Sequence, residues 1–248
     1  MLTNISVVIM AKDAQITIDE CLASLQKFDE VILYLNNSTD NTRSIAQNYS
    51  NVKIVDGEFL GFGPTKNRAA SFASNKWILS LDSDEILNEK LVQEISQLSL
   101  KKDELYVIRR DNYFLGHKTM SRDFVVRIYN REETGFTDAR VHEKVIEKEG
   151  VEKINLKYTI KHLNILNVNQ TLYKTIQYTD LGAEGKKTCY FSIVILKSIF
   201  AFIQTYILRG FIFNGWVGFT VAITSANRRF YKYLKQFVNC QNSKEEGR

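Results

Sequence analysis

Cysteine is scarce in this 248-residue chain, and the three present, Cys21, Cys189 and Cys240, are odd in number, far apart and without C-x-x-C spacing. The pattern suggests neither a disulfide framework nor a zinc site, and it fits a reducing cytoplasm. No secretory leader is expected either, since Met1 runs straight into an apolar strand with no basic n-region and apolar h-region. There is no internal repeat and no low-complexity segment. A P-loop is absent as well. The nearest candidate, Gly61-Phe62-Gly63-Pro64-Thr65-Lys66-Asn67, has the wrong spacing and carries Asn where a hydroxyl is needed. That discounts an ATPase. Nor does a glycine follow the first strand in Met10-Ala11-Lys12-Asp13-Ala14, where a nucleotidyltransferase would carry a Gly-rich basic loop.

What is present is the composition of an ordinary globular protein: 44% hydrophobic and 25% charged residues give enough apolar side chain for a substantial core. One domain with an appendage is the simplest organisation. The net charge of +5 is unevenly placed. Residues 1–185 hold 23 Lys/Arg against 26 Asp/Glu, whereas residues 186–248 hold 10 against 2. That basic quarter is also the most apolar part of the chain, which separates it from a nucleic-acid-binding tail.

Strand and helix patterns alternate through the first hundred residues. Ile5 to Met10, Val31 to Leu35, Val52 to Val55 and Trp77 to Leu81 read as strands; Ile16 to Gln26, a segment from about Asp40 and Lys66 to Ser74 read as helices. Short connections between them imply a parallel sheet with right-handed crossovers. Beyond Leu98, four strands are expected at Leu105 to Arg109, Phe124 to Tyr129, Val141 to Glu147 and Ile154 to His162. From Val168 to about Phe237 the pattern is helical, and Gln241 to Arg248 reads as a frayed tail.

The most informative stretch is Trp77-Ile78-Leu79-Ser80-Leu81-Asp82-Ser83-Asp84-Glu85, a doubly buried strand ending in three carboxylates. Ligands bind at that edge of an open α/β sheet. Crowded carboxylates repel one another, and a divalent cation among them relieves the repulsion while binding phosphate oxygens. The competing explanation is a helix cap ahead of the segment that starts near Asn88.

Five segments occur in a telling order: Ser6-Val7-Val8-Ile9, Asn37-Ser38-Thr39-Asp40-Asn41-Thr42, Gly61-Phe62-Gly63 with Lys66-Asn67, Leu81-Asp82-Ser83-Asp84-Glu85, and Val141-His142-Glu143-Lys144-Val145. In that order the chain resembles family 2 glycosyltransferases of the α/β GT-A fold, a Rossmann-like, mostly parallel nucleotide-binding sheet, here with a helical, amphipathic C-terminal extension. It is similar in particular to bacterial lipopolysaccharide inner-core glucosyltransferases that act on heptose. The resemblance implies a catalytic domain at 1–165, with a nucleotide-sugar half at 1–98 and an acceptor half at 99–165. Residues 166–248 then form a helical region for membrane-surface attachment. It implies transfer of a hexose, glucose, from a UDP-sugar to a lipopolysaccharide-core or related glycolipid with inversion, dependent on Mn²⁺ or Mg²⁺. Nucleic acid is not an expected partner. The alternatives are a nucleotide-sugar-binding protein without transferase activity and a nucleotidyltransferase.

Residue by residue, the resemblance makes Asp82, Asp84 and His162 the metal ligands and Glu143 the base that takes the acceptor proton. Asp123, Asp138 and His142 are reserves on the acceptor side. Donor contacts are expected from Asp13, Asn36, Asn37, Asp40, Lys66, Asn67, Arg68, Ser83 and Glu85. One departure stands out: where the family carries a uracil-binding Asp at the end of the second strand, this chain has Leu35, followed by Asn36 and Asn37. The C-terminal quarter is expected to lie on the anionic inner leaflet at the cytoplasmic face of the inner membrane. Cys189 to Leu208 is about as long as a bilayer-crossing helix but is interrupted by Lys197 and Gln204; the alternative is that both C-terminal helices cover the catalytic domain as ordinary core. After Gly215, Trp216, Phe219, Ile223, Ala226, Phe230, Tyr233 and Phe237 recur at steps of three and four.

Overall fold

A computed structural model describes residues 2–139 and 143–245. Strands β1 (Ile5–Ala11), β2 (Val31–Asn36), β3 (Val52–Gly57) and β4 (Trp77–Asp82) are all parallel, in the order β3-β2-β1-β4. Successive side chains leave a strand on opposite faces, so both faces of this sheet need cover. Val7, Ile9, Leu33, Leu79 and Leu81 pack with α1 (Ile18–Ala23) and α4 (Glu89–Ser96), while Val8, Ile32, Tyr34 and Ile78 pack with Ala69 and Ala70 of α3 (Phe62–Ala70) on the other side. α2 (Thr42–Ala46) adds Ala46 to the first of these layers. The chain reverses direction across the sheet between β1 and β4, so the crevice opens at their carboxyl ends. Met10 and Asp82 are register partners there.

The sheet continues as β7 (His117–Asn130), β6 (Glu104–Phe114), β8 (Glu152–Ile165) and the short β5 (Glu85–Leu87). β7 runs antiparallel to β4, and β5 antiparallel to β8. Leu115 and Gly116 both have positive φ, the two-residue turn that matches strand twist and makes β6 and β7 a hairpin. The architecture is a mixed GT-A type sheet with a helical C-terminal region.

The chain divides into two compact units: Met1–Asp111 with Arg122–His162, and Asn112–Ser121 with Leu163–Arg248. In the second, α5 (Val168–Ala183), α6 (Phe191–Ile203) and α7 (Gly215–Glu245) are the main elements, with a π turn at Gln204–Leu208 and a 3₁₀ turn at Phe211–Asn214 between the last two. α5 buries Thr171, Thr175, Thr179 and Ala183, one residue per turn, a narrow stripe of small side chains against which α7 packs.

Four expectations need correction. Cys189 and Cys240 form a disulfide, with Cα atoms 5.4 Å apart, because α6 and α7 run side by side in opposite directions and bring residues 51 apart in sequence together. α3 begins at Phe62, ahead of Lys66: Gly61 at φ 105° turns the chain into the helix and Pro64 is accommodated in the first turn. Of the strand expected at Val141 to Glu147, Val141 and His142 lie outside the described residues, and only a single bridge from Val145 to Phe136 remains. Lastly, Gln241 to Glu245 continue α7.

Candidate active site

α3 draws the segment after β7 into the crevice. Asn67 grips Phe136 twice, accepting from its N–H at 2.8 Å and donating to its carbonyl at 2.8 Å. Gly63 N–H donates to the Ala139 carbonyl at 3.3 Å, and a Cβ on Gly63 would lie 1.8 Å from the Thr137 carbonyl oxygen. Glycine is required for that approach. The chain emerging from it places Glu143 Oε1 2.9 Å from the buried Lys66 Nζ, whose ammonium also reaches Asp82 Oδ1 at 2.9 Å. Lys66 thus bridges the end of β4 to the expected base.

The three carboxylates diverge in their partners. Asp82 Oδ2 accepts from Arg127 at 2.7 Å and lies 3.7 Å from Arg110. Glu85 is fully buried, and it accepts from Arg127, from Arg110 at 3.2 Å and from the Asp82 backbone N–H at 3.1 Å. Arg110 also holds the expected reserve base, Asp123, at 3.1 Å. Asp84 faces His162 Nε2 at 3.5 Å, and no lysine or arginine among the described residues reaches it. Neither Arg110 nor Arg127 was expected from the motifs. Their signal was an arginine inside an apolar strand, as in Val125-Val126-Arg127-Ile128.

Electrostatics follow from these contacts. Burial opposes ionisation of Asp82, but Arg127 and Lys66 outweigh it and hold the carboxyl well below its usual range. Burial would lower the Lys66 ammonium; Asp82, aided by Glu143, reverses this and raises it. Burial, with Glu85, Asp84 and Asp82 nearby, pushes the Cys21 thiol well up, so this free cysteine is a core residue and no nucleophile.

Other expected donor contacts organise the rim. Asp13, at φ 49°, accepts from the Thr39 N–H at 2.8 Å, and Asp40 accepts from Thr42 N–H at 3.0 Å and Gln15 N–H at 2.9 Å. These bonds lock the loops after β1 and β2 to each other. Asn36 is buried, and its Oδ1 has no hydrogen-bond partner, while Asn37 is exposed at φ 57°. Leu35 points into the core. Ser83 occupies the turn between β4 and β5. Arg68 is exposed and lies over the Phe72 ring, 4.9 Å from its centroid, and Asp138 is exposed. His142 lies outside the described residues. The helix-cap explanation for the acids fails, because α4 is capped by Asn88, which accepts from Leu91 N–H at 2.9 Å.

Whether this set fits a divalent cation turns on Asp84 and His162. Asp82 is occupied by cationic side chains, and no three His, Cys, Asp or Glu among the described residues are grouped to hold an ion unaided. One carboxylate and one imidazole nevertheless suit an ion that completes its shell with substrate phosphates and water. The residues fit on those terms.

The profile of glycosyl transferase family 2 matches residues 6–153. An uncharacterized glycosyltransferase of Rickettsia typhi is 27% identical over 254 aligned positions, covering 94% of this chain and 86% of its own. The lipopolysaccharide core biosynthesis glycosyltransferase LpsC of Rhizobium meliloti is 22% identical, covering 93% and 91%. Among solved structures, the mannosyltransferase PcManGT of Pyrobaculum calidifontis with GDP-Man and Mn²⁺ superposes with a TM-score of 0.48 at 14% identity, over 72% of this chain and 62% of that one.

Proposed function

The chain belongs to glycosyl transferase family 2 and is a glycosyltransferase, and from that premise we propose that it moves glucose from UDP-glucose, with inversion, to a lipopolysaccharide-core or related glycolipid at the cytoplasmic face of the inner membrane. The observation that carries this reading is the Lys66 bridge between Asp82 and Glu143, set beside the Asp84–His162 pair. Inversion needs a carboxylate on the acceptor side, and Glu143 takes the proton of the attacking hydroxyl as the glycosidic bond forms. Lys66 engages one of its oxygens, leaving the other to the hydroxyl. Asp84 and His162 would hold a Mn²⁺ or Mg²⁺ ion, which supplies positive charge against the departing diphosphate. Lys66, Arg110 and Arg127, paired with Asp82, Glu85, Asp123 and Glu143, hold those carboxylates in fixed positions that need no reorganisation during reaction. Loops tied by Asp13 and Asp40 wall the nucleotide side, where Asn36 offers an amide in place of the family's carboxylate.

The name of the Rhizobium relative supports a lipopolysaccharide acceptor, and the basic, apolar C-terminal quarter supports work at a membrane surface. The test is UDP-glucose turnover with Mn²⁺ and a heptose-containing core oligosaccharide, with the anomeric configuration of the product read by NMR. A β-linked glucoside is expected. Nucleotide-sugar binding without turnover would favour a non-catalytic binder. Pyrophosphate release from a nucleoside triphosphate and a sugar phosphate would favour a nucleotidyltransferase. A thermal shift with another nucleotide but none with UDP would overturn the donor.

A further inference from the structure

The helical unit carries its apolar side chains on the outside. Along α6 and the π turn that extends it, Phe191, Ile195, Leu196, Ile199, Phe200 and Ile203 are exposed, Leu196 at 65% and Phe200 at 55%. They span a broad arc of the helix, wider than the stripe a core-facing helix needs. The stretch Phe191–Leu208 is long and apolar enough to cross a membrane, yet only 17% of it is buried in the protein. A core helix of a soluble domain would be mostly buried. Its other face is taken: Val194, Ala201 and Thr205 are buried, Phe191 meets Phe237 at 5.5 Å, and Phe202 and Tyr206 each meet Phe219 at 5.8 Å. These contacts, with the disulfide, make α6 and α7 an antiparallel pair.

That pairing decides orientation. Were α6 to cross a bilayer, the half of α7 alongside its first turns would enter the hydrocarbon too, with Arg228, Arg229, Lys232 and Lys235. A helix in the plane of the surface has no such cost, and Arg228 and Lys235 keep their contacts on α5, with Thr175 and Tyr178 and with Asp180. Lys186 and Lys187 before α6, Lys197 within it and Arg209 after it add basic charge along the same element, and long basic side chains reach headgroups from a helix lying at the boundary.

We propose that the outward face of α6 is the membrane-binding element: it lies in the plane of a leaflet with anionic headgroups, sunk to the headgroup–acyl boundary, without crossing. This rests on the membrane-bound acceptor proposed above and names the surface that meets the membrane. The charge argues for lipid over a second copy, since two such faces would bring like charges together.

The test uses the full chain and vesicles of phosphatidylcholine, alone or mixed with phosphatidylglycerol. Flotation is expected with the mixed vesicles only. Leu196→Glu with Phe200→Glu, both at exposed positions and expected to leave the melting temperature unchanged, should weaken partitioning by about tenfold or more. Depth is read with Phe200→Trp in a Trp77→Phe, Trp216→Phe background. Phe200 is near the middle of the stretch, so bromines near the headgroup should quench it more than bromines near the bilayer centre. Deeper quenching means a span and overturns the proposal; so does undiminished binding of the double variant, or a wild-type dimer that this variant splits without any vesicle binding. Failed glucosyl transfer to a soluble acceptor, with flotation intact, would sink the proposed reaction and leave this inference standing.

Discussion

Asp82 and Asp84, separated by Ser83, have different partners. Asp82 neutralises Lys66 and Arg127, so Asp82→Asn should cost about 3 kcal/mol of stability, toward the low end for a broken buried pair because Glu143 and Glu85 still face the two cations. The sign with pH is set by its depressed folded pKa. Its contribution is present above the unfolded value of about 3.9 and is lost as pH falls through the lower folded value. Chemical denaturation across that range should therefore show wild type losing stability toward acid more steeply than Asp82→Asn. Asp84→Asn should leave the melting temperature almost unchanged and instead weaken Mn²⁺-dependent UDP binding by calorimetry. Glu143→Gln should bind UDP-glucose as wild type does while transfer falls by roughly 10²–10⁴-fold; full activity would move the base to Asp123. The acids themselves were legible because a run of apolar residues ending in Asp-Ser-Asp-Glu has few uses. Their partners were not. Arg110 and Arg127 come from strands whose order in the sheet, β4-β7-β6, no local pattern encodes, so the run of carboxylates could not show the two arginines that share the site with Asp82 and Glu85.

At the scale of elements, the parallel strands were readable from their apolar runs, and helix boundaries were not, since α3 is set by Gly61 and by contacts with the segment at 136–139. Gly63→Ala tests that contact. The added methyl has backbone at 1.8 Å as its neighbour, so the segment leading to Glu143 must shift, and kcat should fall far more than UDP affinity. The disulfide was unreadable for a related reason: Cys189 and Cys240 meet only because α6 and α7 fold back on each other. Closing a loop of 51 residues contributes about 4 kcal/mol in the chain-entropy account. Cys189→Ser with Cys240→Ser should match reduced wild type in thermal melts, and both should melt below the oxidised protein. The bond also bears on location, because disulfides are rare in reducing compartments. Acid-trapped alkylation of cells should find both thiols free if the enzyme is cytoplasmic; a bonded pair would move it elsewhere.

The whole molecule is polarised in charge, with a slightly acidic first 185 residues and a strongly basic remainder. Net charge alone, +5, would suggest a diffuse attraction to any polyanion, whereas the placement confines it to the unit that also exposes the apolar face of α6. An enzyme held on the surface that carries its acceptor meets that acceptor at high effective concentration, with no change in the chemistry proposed for Glu143. Kinetics can separate the two contributions. With the glycolipid embedded in vesicles, the apparent KM for acceptor should fall as anionic lipid is added and rise again with salt, since each basic residue near such a surface contributes about 1 kcal/mol that is screened within a Debye length. With the delipidated core oligosaccharide in solution, KM should ignore vesicle composition, and kcat should be the same for both forms. A salt effect of equal size on the soluble acceptor would place the relevant positive charge in the crevice around Lys66, Arg110 and Arg127, and would remove the surface from the account of catalysis.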